Sequence, residues 1–187
     1  MPELPEVETV RRGLAPVIEG ARFTKVIAHR GDLRWPLAKD FVARLEGKTV
    51  KGLGRRAKYL LADLSSDEVL VMHLGMSGSF RVARGRGKAT PGRYYHDRAK
   101  NTAHDHVVFH MSSGARISFN DPRRFGMMKL VPRSELDREP LLRALGPEPL
   151  GNEFDAATLA RACKGKKTSL KAALSDQIGR ASCRERV

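Results

Sequence analysis

Apolar positions in the first eighteen residues recur at intervals of three and four: Val7, Val10, Leu14 and Ile18. That spacing puts them on one face and predicts a helix over residues 3–18. Pro5 suits its first turn, where a backbone N–H has no partner to lose, and Pro16 is expected to end or bend it. From Arg22 to Val131 the pattern changes to short apolar groups: Phe23-Val26-Ile27, Thr49-Val50-Leu53, Tyr59-Leu60-Leu61, Val69-Leu70-Val71, His106-Val107-Val108-Phe109, Ile117-Phe119 and Met127-Met128-Leu130. Gly, Asp, Ser or Pro separates them, which predicts short strands in a β-sandwich or barrel. Residues 84–105, rich in Gly, Arg and Lys, read as a long, mobile surface loop. After Pro132 the period becomes helical. Leu136, Leu141, Leu142 and Leu145 lead to a Gly-Pro-Glu-Pro turn at 146–149. Phe154, Ala157, Leu159 and Ala160 predict another helix, and Lys171 to Gln177 a third. No internal repeat is evident.

Composition narrows the class. The chain has 187 residues, 35 Lys and Arg against 21 Asp and Glu, and a formal net charge of +14. With 41% hydrophobic residues it is too apolar for a disordered basic tail. No apolar run approaches the roughly 18 residues of a membrane span. Glu3, Glu6 and Glu8 stand where a signal peptide would be basic and then apolar, so a cytoplasmic protein is expected. Cys163 and Cys183 are too few for a disulfide framework and lack zinc-site spacing. The basic residues recur as Arg55-Arg56-Ala57-Lys58, as seven Lys or Arg between Arg81 and Lys100, as Arg123-Arg124, and as Lys164-Gly165-Lys166-Lys167. Four such clusters are expected to converge on a polyanion, with binding that weakens steeply in salt. Charge alone does not separate DNA from RNA or an acidic protein.

The opening Met1-Pro2-Glu3 is itself a chemical group. Removal of the initiator Met leaves Pro2 with a free secondary amine that can attack an electrophilic sugar or carbonyl carbon and form an iminium ion. An α-amino group titrates near ~8 against ~10.4 for Lys, so far more of it is neutral at pH 7. The adjacent Glu3 can shuttle the proton.

The stretch Pro2-Glu3-Leu4-Pro5-Glu6-Val7-Glu8-Thr9-Val10-Arg11-Arg12-Gly13-Leu14 resembles the opening of bacterial formamidopyrimidine-DNA glycosylases, which remove oxidised purines such as 8-oxoguanine. The likeness continues in order through Leu33-Arg34-Trp35-Pro36, Arg55-Arg56-Ala57-Lys58-Tyr59-Leu60, His73-Leu74-Gly75-Met76-Ser77-Gly78-Ser79, His104-Asp105-His106-Val107, Asn120-Asp121-Pro122-Arg123-Arg124-Phe125-Gly126, Leu145-Gly146-Pro147-Glu148-Pro149-Leu150 and Lys166-Lys167-Thr168. It covers about residues 2–177. The related endonuclease VIII enzymes, which prefer oxidised pyrimidines, typically open Pro-Glu-Gly-Pro-Glu, so Leu4 favours the purine branch.

The resemblance implies an α+β fold: an N-terminal helix on a two-layer β-sandwich over residues 1–131, then a linker and the beginning of a helix–two-turn–helix domain over 132–177. It implies a bifunctional DNA glycosylase and abasic-site lyase of base excision repair. Pro2 is then the Schiff-base nucleophile at C1′, Glu3 its acid–base partner, and Lys58 the proton donor in β-elimination. Met76 and Phe125, which spacing alone assigns to a core, match side chains that fill the duplex when a base is turned out. Arg123 matches an arginine that enters that gap, and His104 and Lys166 match further DNA-binding positions. The implied partner is double-stranded DNA carrying oxidised purines or abasic sites, met by a monomer in the bacterial cytoplasm at the nucleoid, with no membrane.

The chain departs from the family after Gln177. The expected Gly-Leu-Gly-Asn-Ile-Tyr segment and the four-cysteine zinc finger do not follow, so no cofactor is expected in this chain, although the full-length family carries one structural zinc. Residues 178–187 resemble a translated sequencing adapter and read as a non-native tail contributing +2 to the charge. Truncation is expected to spare the chemical groups and impair duplex binding. The alternatives are a non-catalytic DNA-binding fragment, an endonuclease VIII-like glycosylase, and an RNA-binding protein, which rests on charge alone.

Overall fold

A computed structural model describes residues 2–85, 87–89, 91, 101–148, 155–165 and 167–169. Helix α1 (Leu4–Ile18) buries Val7, Val10, Leu14 and Ile18, the predicted face, together with Leu4. Its entry is set by a capping box in which the Glu6 carboxylate accepts the Glu3 N–H at 2.6 Å, with Pro5 in the first turn. Pro16 lies inside α1 without ending it, and the helix continues to Ile18.

Among the described residues, nine strands follow in two antiparallel sheets. The first has the order β1 (Phe23–Ala28), β7 (Asp105–Met111), β8 (Ala115–Asn120), β5 (Ser79–Arg84), β6 (Gly87–Ala89). The second has the order β2 (Val50–Arg56), β3 (Tyr59–Leu64), β4 (Glu68–His73), β9 (Met127–Pro132). Phe23, Phe80, Phe109, Ile117 and Phe119 of the first sheet share one apolar cluster with Leu53, Leu60, Leu70, Met72 and Leu130 of the second and with the buried face of α1. This is the two-layer sandwich. The short helix α2 (Phe41–Leu45) adds Phe41 and Leu45 to the same core.

Part of the expected loop at 84–105 forms regular structure, and residues 86, 90 and 92–100 lie outside the described residues. Gly87–Ala89 returns as an edge strand paired with β5, and Thr102–His104 forms a 3-10 turn leading into β7. Strand β5 lies outside the seven predicted groups, although Phe80 and Val82 alternate with Arg81 at strand period and are buried.

The outer face of the second sheet is also covered. Val69 and Val71 of β4 point away from the main core and pack with Tyr59, Met127, Val131, Leu136 and Leu142. Leu136 comes from a 3-10 segment (Arg133–Arg138) and Leu142 from α3 (Pro140–Arg143). The helical period after Pro132 thus becomes a cap on the sheet. Helix α4 (Ala156–Cys163) is opened by Asp155, whose carboxylate accepts the Thr158 N–H at 2.7 Å. The predicted helix at 171–177 and the tail 178–187 lie outside the described residues.

Candidate active site and nucleic-acid interface

Strand register sends one end of each sheet in the same direction. In the second sheet Tyr59 pairs with His73 and His73 with Met127, so the β2–β3 turn, the turn after β4 and the approach to β9 lie together. In the first sheet Ser79 pairs with Asn120 and Asn120 with Asp105, which brings the starts of β5 and β7 beside the end of β8. Helix α1 runs antiparallel to β2. Gly20 donates to the Val50 carbonyl and Glu19 accepts the Leu53 N–H near one end, while Arg55 bonds Glu8 near the other. Pro2 and Glu3, both half-buried, therefore sit at the end of the sandwich that carries the β2–β3 turn.

That turn is Ala57-Lys58, closed by the Arg56–Tyr59 pair. Ala57 takes a left-handed conformation with φ of 50°, uncommon for a residue with a side chain. Lys58 is only 7% exposed, and its Nζ is buried without a hydrogen-bond partner among the described residues. A buried amine left unpaired is costly and marks a position kept for something other than stability.

Glu148 holds the turn from the far side of the sequence. Its carboxylate accepts the Ala57 N–H at 2.5 Å, Arg55 at 2.9 Å and Arg56 at 3.1 Å. Burial raises the Glu148 carboxyl, but the Ala57 N–H and the two guanidinium groups outweigh it and hold the group below its usual range. The basic cluster at 55–58 is thus divided. Arg55 and Arg56 are committed to internal carboxylates and to the carbonyls of Leu145 and Gly146, and only Lys58 lacks such a partner among the described residues. This corrects the expectation that the whole cluster faces a polyanion. Close packing of α1 on β2 requires those charges to be neutralised locally.

Glu8 joins the same network, bonded by Arg11 at 2.8 Å, Arg12 at 2.9 Å and Arg55 at 3.1 Å. The Arg11 hydrogen bond is the largest influence; against a partial upward push from burial, and with help from Arg12 and Arg55, it lowers the carboxyl from 4.5 to about 2. A depressed native pKa contributes stability above about pH 4.5 that is lost as pH falls toward 2. The expected contribution, reduced for solvent screening, is about 1–2 kcal/mol. Denaturant unfolding should show Glu8→Gln less stable than the parent by this amount at pH 6, with the difference closing by pH 2.

Three large apolar side chains are exposed among the described residues: Trp35 at 43%, Met76 at 37% and Phe125 at 37%. All three lie at the same end. Met76 stands on the turn after β4, and Phe125 on the loop 121–126 before β9. Gly75, with φ of +61°, brings its backbone against Phe125 and Gly126 so closely that a Cβ would collide with the Phe125 carbonyl carbon. The Arg123 guanidinium lies 4.8 Å from the Phe125 ring centroid. Trp35 is carried by a loop whose Arg34 N–H donates to the Gly126 carbonyl at 2.9 Å. Aromatic and thioether side chains beside an arginine form a surface suited to unstacked bases. The spacing-based assignment of Met76 and Phe125 to a core is therefore corrected: both are displayed because the tight turns beneath them leave no inward direction.

His104 ends the 3-10 turn before β7 and is half-buried, its carbonyl accepting the Asp121 N–H at 3.0 Å. Its ring lies 6.5 Å from that of His106, whose Nε2 meets the Asp121 carbonyl at 2.8 Å. Lys166 lies outside the described residues. The register thus brings together Pro2, Glu3, Lys58, Met76, His104, Arg123 and Phe125 at one end. Asp121, Glu148, His73 and Trp35 belong to this end as well; they fall inside the sequence motifs, but nothing in the motifs alone marks their role. A lone carboxylate in a loop has no periodicity; only its close hydrogen bonds reveal it. Among the described residues no group of three or more His, Cys, Asp or Glu is placed to hold a metal ion. No described helix is long and apolar enough to cross a membrane.

Solved structures of similar shape include a Lactococcus lactis Fpg in complex with DNA containing an abasic site, at a TM-score of 0.77 and 29% identity, covering 97% of this chain and 63% of that one. Another is the wild-type Lactococcus lactis enzyme with DNA containing an oxidised pyrimidine, at 0.75 and 29%, covering 95% and 62%. In sequence, the chain is 70% identical over 177 residues to the formamidopyrimidine-DNA glycosylase of Bradyrhizobium sp. (strain ORS 278), covering 95% of this chain and 60% of that protein. It is 68% identical over 177 residues to the protein of that name from Rhodopseudomonas palustris (strain ATCC BAA-98 / CGA009), covering 95% and 61%. The chain thus spans about 60% of the length of these curated relatives. Residues 1–128 match the family model described as formamidopyrimidine-DNA glycosylase N-terminal domain. With helix α1, strands β1 to β8 and the loops that carry Pro2, Lys58, Met76 and Phe125 inside that match, the chain belongs to the formamidopyrimidine-DNA glycosylase family.

Proposed function

We propose that the protein excises oxidised purines, 8-oxoguanine and formamidopyrimidines, from duplex DNA and then cleaves the strand at the resulting abasic site. The observation that carries this reading is the buried Lys58 amine, unpartnered among the described residues, at the end of the sandwich that also bears the Pro2 terminus and the exposed Met76–Phe125 pair.

The chemistry follows from the groups gathered there. With Met1 removed, the Pro2 nitrogen attacks C1′ of the damaged nucleotide, and the base leaves with the electron pair of the glycosidic bond. The sugar ring opens to an iminium ion on Pro2, with Glu3 moving the proton. The iminium acidifies C2′; loss of that proton drives out the 3′ phosphate, and Lys58 supplies the proton to the leaving side. Met76 and Phe125 fill the gap left by the turned-out nucleotide, Arg123 enters opposite it, and His104 and Lys166 contact the DNA. Exposed Lys and Arg on phosphates make binding salt-dependent. The described residues do not fit the zinc site of the full-length family, and no step here uses a metal.

Borohydride reduction of the iminium on DNA containing 8-oxoguanine tests the reading. The protein carrying these 187 residues should become covalently joined to the DNA, and blocking the Pro2 nitrogen should abolish the adduct. An adduct that survives the block overturns Pro2 as nucleophile. Salt-sensitive binding with no adduct supports a non-catalytic DNA-binding protein instead.

A further inference from the structure

The two loops that present Met76 and Arg123–Phe125 both cross between the sheets, one from β4 to β5 and the other from β8 to β9, and lie more than forty residues apart, yet one buried carboxylate joins them. Asp121 is completely buried. Its Oδ1 accepts the Ser77 hydroxyl at 2.5 Å, from the Met76 turn, and the Arg123 N–H at 3.3 Å. Its Oδ2 accepts the Gly126 N–H at 2.7 Å, from the far side of Phe125. The Ser77 hydroxyl oxygen in turn accepts the Arg123 N–H at 3.3 Å. The backbone of Asp121 is anchored on both sides, its N–H donating to the His104 carbonyl and its own carbonyl meeting His106 Nε2. A Cβ on Gly126 would approach Asp121 Oδ2 to 3.0 Å and the Phe119 ring more closely still, so the loop is folded tightly over the carboxylate.

We infer that Asp121 is a positioning residue that makes the Met76 turn and the Arg123–Phe125 loop a single rigid wedge. The inference deepens the proposed function and rests on it. Charge-assisted bonds from a hydroxyl and two amides fix both tips relative to each other before DNA arrives, so the cost of ordering them is already met in the free protein. Completely buried beneath these loops, Asp121 is placed to act through them and not on the reacting sugar or base directly. Its influence should therefore fall on the step that needs a wedge, opening the duplex, and not on bond-breaking once the nucleotide is unstacked.

Asp121→Asn keeps the shape and weakens the charge-assisted bonds; Ser77→Ala removes only the link to the Met76 turn from a half-buried position. Each is compared with the parent on duplex DNA containing 8-oxoguanine and on single-stranded DNA containing an abasic site, where nothing has to be opened. Fluorescence of 2-aminopurine beside the lesion reports the opening. The expected result is a duplex-to-single-strand ratio at least tenfold lower for Asp121→Asn and several-fold lower for Ser77→Ala, with a matching loss of the fluorescence change. Equal losses on both substrates, or a parental ratio in Ser77→Ala, overturn the inference. Failure of the parent protein to form a borohydride adduct overturns the proposed function itself, and is distinguishable from either result.

Discussion

Replacing Lys58 with Met is expected to stabilise the protein while lowering strand cleavage at least a hundredfold. The Lys58 side chain is 7% exposed, and its nitrogen has no hydrogen-bond partner among the described residues. Burying a polar group without compensation costs about 1–3 kcal/mol by mutational measures. Methionine keeps the flexible unbranched stem and places a polarisable sulfur in the same space. A gain of about 1 kcal/mol corresponds to a rise in Tm of roughly 2–4 °C for a chain of this size. The loss in cleavage follows from removing a positioned proton donor, which typically contributes 10²–10⁴-fold. Circular dichroism melts and single-turnover cleavage of DNA with a preformed abasic site check the two halves separately. A fall in Tm of several degrees would mean that Lys58 Nζ has a stabilising partner. Unchanged cleavage would remove Lys58 from the mechanism.

Gly75→Ala carries the second large effect, in the opposite direction on stability. Gly75 has φ of +61°, where a side chain is strained, and its missing Cβ faces the backbone of Phe125 and Gly126 and not a side chain that could swing aside. Left-handed strain of about 1 kcal/mol adds to overpacking of about 1–3 kcal/mol. A total loss of about 2–4 kcal/mol is expected in urea unfolding. What remains folded should have the Met76 turn pushed off the Phe125 loop, so processing of 8-oxoguanine in duplex DNA should fall at least tenfold. Gly114→Ala is the control. It shares the positive φ of 78° but meets nothing within 4 Å, so it should show only the backbone part of the cost. Equal effects of the two substitutions would show that close approach of the loops plays no part.

Some of this architecture was legible along the chain. The three-and-four spacing of Val7, Val10, Leu14 and Ile18 specified both the helix and its buried face, because helical geometry maps spacing directly onto direction. The seven predicted apolar groups all became strands, since β-branched and aromatic residues between turn residues leave few other options. Strand β5 is less visible: its apolar face carries only Phe80 and Val82 before Arg84, with Ser79 and Arg81 on the other face, and its place beside β8 depends on pairing with a segment more than thirty residues away. Tertiary pairing decided that strand.

The charges divide in the same way. Runs of Lys and Arg announce a positive field, but not which members are consumed internally. Arg55 and Arg56 look equivalent to Lys58 in sequence; Glu8 and Glu148, from 47 and 93 residues away in sequence from Arg55, take the two arginines out of the field. Met76 and Phe125 show the converse. Hydrophobicity argues for burial, and only the close backbone approach at Gly75 explains why both remain exposed.

The sequence by itself determined the elements, the positive charge and, through its ordered motifs, the family, because local spacing and residue chemistry are properties of neighbours along the chain. The tertiary structure alone decided which cation of the 55–58 cluster lacks a partner among the described residues, which apolar residues face outward and which carboxylate joins the two wedge loops. Those outcomes depend on contacts between residues distant in sequence, and the free energy of a buried charge or an exposed ring is set by what the fold brings next to it.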